Sequence, residues 1–372
     1  MVDLPVRRQL PMWVGLVLAL LLTVSVPHSA RSQAAAHREQ QRTLYVSTAG
    51  SDRASGAVEH PLRSIAAALR RAGAGTTILV GRGVYPETLY ETTSGQPDRP
   101  LIVRAANGSH PVITGRLTLN GSNILVKGFV FVGGLSSNPD NVLVSINGNN
   151  VTLAHNELRN SAMSGVIVGD TVGVRLISNW IHDNGTHVVQ GIVQDHGIYW
   201  SNGRDGRIVN NIIDHNRGFG IQLYPEAIST VVSSNTVVWN GIAKDGSYGA
   251  SGIILGGAAT TGNTVVNNII AWNGEAAVRS LAPLGAGNTI LNNLGYGNDR
   301  SDFPTDSLGD GLKFEQNVTS APRFIRGFPL YGLGKSSPAR HRAIPAFSPQ
   351  LDFAGRSRFF KTLPDLGALQ SS

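Results

Sequence analysis

Between residues 150 and 300 the chain keeps returning to one short phrase, in which an aliphatic residue precedes an asparagine by three places and another follows it by two. The asparagines are Asn156, Asn179, Asn211, Asn235, Asn268 and Asn293, and the leading aliphatics are Leu153, Leu176, Ile208, Val232, Val265 and Ile290. Leu158, Ile181, Ile213, Val237 and Ile270 trail them, with a lapse only at Gly295. Five places on stands a second asparagine: Asn184, Asn216, Asn240, Asn273 and Asn298. Most copies close on a further phrase, Gly165-Val166, Gly197-Ile198, Gly220-Ile221 and Gly252-Ile253, worn to Ala277-Val278 in the last. Apolar alternation of period 2 between Asn and Gly turns predicts short strands. Recurrence every 23 to 33 residues predicts a solenoid whose units cannot bury a core alone, so each copy is read as one coil of a parallel β-helix. An inward asparagine can donate to and accept from its equivalents on adjacent coils and tolerates the left-handed backbone of a corner. The six are therefore expected to form a buried ladder.

Ahead of the repeat, Leu44-Tyr45-Val46-Ser47 reads as a strand. Pro61 then opens an amphipathic helix, with Leu62, Ile65, Ala66 and Leu69 on one face and Arg63, Arg70 and Arg71 on the other. The first coil of a solenoid needs a cover, and this helix is the expected N-terminal cap.

Composition changes the picture in three ways. Cysteine is absent, which excludes disulfides and thiolate metal sites. Arg7 and Arg8 precede an apolar run from Met12 to Val26, and small residues follow near Ser32 and Ala34. Residues 1–34 are thus expected to be a signal peptide for secretion or periplasmic export, with no stable membrane insertion after cleavage. The formal charge of +7 is unevenly placed. Residues 1–34 contribute three arginines and one aspartate, while residues 321–372 hold eight cations against two aspartates. The body from 35 to 320 is close to neutral, so a basic stripe for nucleic acid is not expected. Three segments result: the signal peptide 1–34, a capped β-helix over 35–320, and an irregular basic C-terminal tail over 321–372 that packs on it. A monomer is expected.

Several phrases carry a family likeness. Tyr45-Val46-Ser47-Thr48-Ala49-Gly50-Ser51-Asp52, His60-Pro61-Leu62-Arg63-Ser64-Ile65, Thr76-Thr77-Ile78-Leu79-Val80 and Gly83-Val84-Tyr85-Pro86-Glu87 resemble the opening of secreted right-handed parallel β-helix proteins of the pectate lyase superfamily. Pro100 to Ala105 and Pro111 to Gly115 continue the likeness, and Ser336-Ser337-Pro338-Ala339, Asp352-Phe353-Ala354-Gly355 and Pro364 to Ala368 resemble the tail that closes such chains. It runs over about residues 44 to 369 and is strongest to the branch that includes family 9 polysaccharide lyases. The resemblance implies an all-β, right-handed parallel β-helix. It also implies a polysaccharide partner, Ca²⁺ held by acidic side chains, and a Lys or Arg as base. The same frame carries lyases, hydrolases, epimerases and binding proteins, so fold is implied more firmly than activity. The aspartate phrases of polygalacturonases and the Asp-Pro-His phrase of alginate epimerases are missing.

Two coils are longer than the rest, through residues 186–195 and 242–248, and both excursions leave the same corner. Insertions on one face of a solenoid commonly wall a binding groove. With Val166, Ile198, Ile221, Ile253 and Val278 inward, alternation turns Tyr199, Gln222 and Arg279 outward in one column and Tyr224 one step further along. These four are the expected substrate-binding residues, suited to sugar faces and hydroxyls. Arg217, Lys244 and His196 are the candidate catalytic groups, and Asp195, Glu226 and Asp245 the acids available to a metal. Cross-rung pairs of His182 with Asp214 and Asp183 with His215 are read as structural bridges. The expected function is a polysaccharide lyase acting by β-elimination on a uronate glycan. The alternative is a non-catalytic glycan-binding or envelope-associated β-helix protein, favoured if Arg217, Lys244, His196 and the tyrosines fail to converge.

Overall fold

The computed structural model describes residues 42–133, 142–186, 195–242, 249–300, 302–303, 311–325, 330–359 and 362–371. The segment read as a signal peptide, most of both long excursions, and with them Lys244 and Asp245, lie outside the described residues. No described helix is long and apolar enough to cross a membrane.

The strands form three sheets of eleven, ten and nine strands, parallel throughout, and successive coils contribute to each in turn. The register follows the repeat. Leu153, Leu176, Ile208, Val232, Val265 and Ile290 stand opposite one another along the eleven-stranded sheet. Leu158, Ile181, Ile213, Val237 and Ile270 do so along the ten-stranded sheet. Val166, Ile198, Ile221, Ile253 and Val278 complete the nine-stranded one. All are fully buried, so the interior is three aliphatic stacks meeting along the axis. A slip of one residue would turn each stack to solvent, which is why the register is firmly set. The lapse at Gly295 has a steric cause: a Cβ there would lie 2.8 Å from Asp302 and from the ring of Phe303.

Two corners carry asparagine ladders. At the first, Asn156, Asn179, Asn211, Asn235, Asn268, Asn293 and Asn317 pass one amide hydrogen bond from rung to rung, at 2.9 to 3.1 Å. From Asn179 onward each Oδ1 also accepts the backbone N–H of the preceding asparagine, the Asn156 Oδ1 accepting that of Phe129, and each Nδ2 also donates to a strand carbonyl, as Asn179 does to Leu153. At the second, Asn184, Asn216, Asn240, Asn273 and Asn298 repeat the arrangement and end on Asp302. The expectation differs from the structure in one respect: the left-handed residue at each corner is not the ladder asparagine but the one before it. His155, Ser178, Asn210, Ser234, Asn267, Asn292 and Gln316 take φ of 51° to 65° at the first corner, and Asp183, His215, Trp239 and Trp272 take 53° to 59° at the second.

The helix is shorter than the sequence suggests, Ile65–Leu69, and begins after Ser64, whose side chain accepts from the N–H of Ala67. Glu87 reaches the N–H groups of Ile65 and Ala66, which satisfies two further donors of the first turn. Pro61 and Leu62 therefore precede it, while Leu62, Ile65, Ala68 and Leu69 are buried with the first strands.

The last strand is Val318–Thr319, and the chain then crosses the outside of the ten-stranded sheet. Tyr331, Phe353, Ala368 and Leu369 pack with Trp180 and Ile212, and Leu333, Ala339, Ala343 and Leu366 with Ile269 and Leu294. Polar anchors come from the left-handed residues of the first corner. Asn267 donates to the Ile344 carbonyl and Asn292 to that of Arg342, while Asn210 accepts from the fully buried guanidinium of Arg358 at 2.6 Å. Burial pulls Arg358 down to about 10, against the opposing charges of Asp352 and Asp365.

Candidate functional site

The second corner differs from the first in what its left-handed positions carry. A φ near +55° costs an L-residue with a bulky side chain on the order of 1–2 kcal/mol, and Asn, Asp and His bear it best, so the unusual occupants are the tryptophans. The first corner has Ser and Asn there on its five middle rungs, with His155 and Gln316 at its two ends. The second has Asp183, His215, Trp239 and Trp272 on successive rungs. Trp239 and Trp272 stack at 5.0 Å with planes 11° apart, and Trp239 remains 39% exposed.

His215 is held from behind by a built acceptor. Asp214 ends the strand Ile212–Asp214 and is buried. Its carboxylate faces His215 Nδ1 at 2.8 Å and accepts from Trp180 Nε1 at 2.7 Å and the Tyr331 hydroxyl at 2.8 Å. Burial, and then the charge of Asp214, push the Tyr331 phenol well above its ordinary value and keep it a donor. Three donors of three kinds thus fix one carboxylate, and that carboxylate orients an imidazole whose side chain is 54% exposed.

One rung back, His182 stacks on Trp180 at 4.0 Å, with Nδ1 2.6 Å from Asp183 and Nε2 3.5 Å from Glu157. Burial disfavours its charged form, yet hydrogen bonds to Glu157 and Asp183 and the charge of Asp214 outweigh this and raise its pKa. The same bond from His182 holds Glu157 below the ordinary carboxylate value, with help from Arg159.

In front of this corner lies a cleft of about 660 Å³, whose lining includes Asp183, Thr186, His215, Arg217, Trp239 and Ile242. Arg217 brings a guanidinium to it, 3.3 Å from Asp195. The arrangement joins an aromatic face, a cation and an oriented imidazole.

The residues singled out from sequence are only partly brought together. Register sets Tyr199, Gln222, Ile254 and Arg279 in one column, as alternation requires. Gln222 and Ile254 are nevertheless buried, so the column is not the open floor expected of it. Tyr199 is half-buried, edge-on to the His196 ring at 5.7 Å. His196 is wholly buried, and its Nδ1 accepts the Phe219 N–H at 3.1 Å, a placement that withdraws it from the groove edge. Arg279 is ion-paired with Glu275, which also accepts from Ser251. Tyr224 is exposed in the middle of the strand Ile221–Ile228, two places before Glu226, and neither lines the cleft. What converges is Asp183, His215, Arg217 and Trp239. The signal for it was present in the sequence: the residue before the second asparagine is charged or aromatic on four consecutive rungs.

Ca²⁺ wants six to eight oxygen donors. Among the described residues no three acidic or imidazole side chains gather to hold a metal. Asp195 is engaged by Arg217, and Glu226 lines a separate concavity with Asn202 and Arg204. The described residues do not fit the ion.

Comparison with known proteins agrees with this architecture. Residues 44–310 match the family model of the Pel9A-like, right-handed β-helix region. The chain is 35% identical over 109 residues to the uncharacterized protein YwoF of Bacillus subtilis (strain 168), a stretch covering 29% of this chain and 23% of that one. It is 40% identical over 74 residues to pectate lyase PEL9 of Emericella nidulans, covering 19% and 18%. The matched stretch is thus under a quarter of the length of either curated relative. Among solved structures, pectate lyase Pel9A superposes with a TM-score of 0.64 at 16% identity, over 90% of this chain and 97% of that one. An alginate lyase from Paenibacillus sp. str. FPU-7 gives 0.54 at 17%, over 75% and 100%. At such identities the structural likeness is one of fold, but the family model spans most of the chain, and the protein belongs to the Pel9A-like family of right-handed β-helix proteins.

Proposed function

We propose that this is a secreted, monomeric protein that binds and cleaves a uronate-containing polysaccharide at the second corner, by β-elimination. The observation that carries the reading is the convergence of Arg217, Trp239 and the Asp214-held His215 on one cleft. Pectate and alginate lyases of similar fold support the substrate class. The helix Ile65–Leu69 is read as the cap of the first coil.

In this scheme Trp239 takes the apolar face of a sugar ring, and Arg217 exchanges part of its pairing with Asp195 for the C6 carboxylate, which acidifies the proton on C5. His215 Nε2 removes that proton. The electron pair forms the C4–C5 double bond as the C4–O4 bond breaks, and O4 leaves with a proton drawn from solvent. Asp214 keeps Nδ1 protonated and stabilises the imidazolium that results, a positioning role of a kind worth orders of magnitude in rate. Lys244 remains a candidate for the same proton transfer.

The test is to incubate the mature protein with pectate, alginate and glycosaminoglycans, with and without Ca²⁺, while following ultraviolet absorbance of the new double bond. Absorbance that grows with wild type and not with His215→Asn supports the scheme. Binding without absorbance on any uronate glycan would leave the non-catalytic reading, which the partial scatter of the sequence-picked residues favours.

A further inference from the structure

A second concavity opens at the far end of the nine-stranded sheet, where the strand Ile198–Arg204 has its only register shift, between Trp200 and Asn202. Bulges of this kind re-aim side chains. The concavity measures about 180 Å³ and is lined by Asp170, Thr171, Asn202, Arg204, Glu226 and Ile228, among others. Two of its polar atoms are buried without a hydrogen-bond partner: Thr171 Oγ1, on a side chain only 4% exposed, and Asn202 Oδ1. Leaving such atoms unmet costs about 1–3 kcal/mol each, and a native fold seldom keeps two side by side unless something satisfies them.

The donors and acceptors around the space define what that is. Asp170, Glu226 and Asn202 Oδ1 accept, the Arg204 guanidinium donates, and the Thr171 hydroxyl does both. Two carboxylates against one guanidinium leave the rim at a formal charge of −1, which disfavours an anion, while Arg204 stands against a bare divalent cation. A neutral ligand that offers several hydroxyls meets every requirement. The volume equals about six waters of liquid, the bulk of a single pyranose ring. We infer that this is a second carbohydrate site, taking one uncharged sugar residue through its hydroxyls. It shares no lining residue with the corner cleft, so it is distinct in place and opposite in charge preference. It rests on the proposed function only in the choice of sugars as probes.

Saturation-transfer NMR on the intact protein with methyl β-D-galactopyranoside, methyl β-D-glucopyranoside and galacturonate tests this. At least one neutral glycoside is expected to receive saturation in wild type and in Trp239→Ala, which alters only the corner cleft, and to lose at least three-quarters of it in Thr171→Val and Glu226→Ala. Galacturonate should lose its signal in Trp239→Ala and keep it in Glu226→Ala. Thr171→Val removes an unmet hydroxyl without changing shape, so its melting temperature should hold or rise and a folding defect cannot mimic lost binding. Three results overturn the site: no transfer to either neutral glycoside in wild type, transfer that survives both substitutions, or calorimetric binding of Ca²⁺ that disappears in Glu226→Ala, which would make it a cation site. Failure of the corner cleft to cleave any polymer would leave these results unchanged.

Discussion

The first and second corners share a backbone and differ in use. Each turns on one left-handed residue followed by a ladder asparagine. At the first, those residues are Ser and Asn between His155 and Gln316 at the ends, and three of the asparagines are spent on holding the C-terminal segment. At the second they are Asp, His, Trp and Trp, and three line an open cleft. The lesson is that the asparagine fixes the bend while its predecessor is left to be chosen by what the outside must do. Strain accepted at Trp239 and Trp272 points to function when the neighbouring corner shows how it could have been avoided.

The largest expected effect separates the corners by chemistry. His215→Asn should lower turnover on the responsive glycan by about 10²–10⁴-fold, the usual worth of a general base, with little change in melting temperature. Asn210→Ala, at the first corner, should leave kcat near wild type and shift only stability. If His215→Asn keeps full activity, the second corner is not catalytic. Arg358→Met comes next. It strips a buried donor from Asn210, Asp365 and Gly367, and removing one member of such a buried charged network costs about 3–5 kcal/mol, readable in urea denaturation.

Asn211→Leu breaks the first ladder at its middle and leaves amide groups on both adjacent rungs unmet, for a loss of about 1–3 kcal/mol; a thermal melt unchanged within error would deny the ladder its part in stability. Trp239→Gly sharpens the comparison by subtraction. Glycine relieves about 1–2 kcal/mol of left-handed strain and forfeits about 0.5–1.5 kcal/mol of stacking on Trp272, so stability should move little while affinity for the glycan falls. The smallest effect is a shallow pH optimum from Glu157 and His182. A raised imidazole pKa adds stability that is complete below the ordinary value of 6.5 and is lost as pH rises through the folded value. A lowered carboxyl pKa adds stability present above 4.5 and lost as pH falls through the folded value. The pair therefore contributes most between the ordinary values of 4.5 and 6.5 and less on either side, and Glu157→Gln should flatten the fall in melting temperature outside that window.

Nearly all of the fold was legible because solenoid coils repeat their inward residues. Leu176, Asn179 and Ile181 predict their own neighbours one coil on, and the register agrees with that rung by rung. The helix began later than Pro61 because Ser64 and Glu87 supply the cap, and Glu87 is a partner 22 residues away that local pattern cannot show. The site was harder to read. Alternation tells which face a side chain takes but not what lies over that face, so Gln222 was rightly put outside the barrel and wrongly taken as exposed. His196 failed likewise, packed between Phe219 and Tyr199. Asp214 and His215 were read as members of two cross-rung bridges, to His182 and Asp183, whereas Asp214 faces its own neighbour His215 and is fixed by Tyr331, 117 positions further on. No local spacing could have supplied that contact.

Coils stacked at about 4.8 Å turn the left-handed column into a graduated scale. Each coil presents one side chain whose identity the interior does not dictate, so Asp183, His215, Trp239 and Trp272 read like four marks on a ruler. A polymer lying along the axis would pass a new mark with each short advance. Changing one mark, or adding a whole coil, would rewrite what the polymer meets there while every ladder hydrogen bond on the other coils stayed as it was.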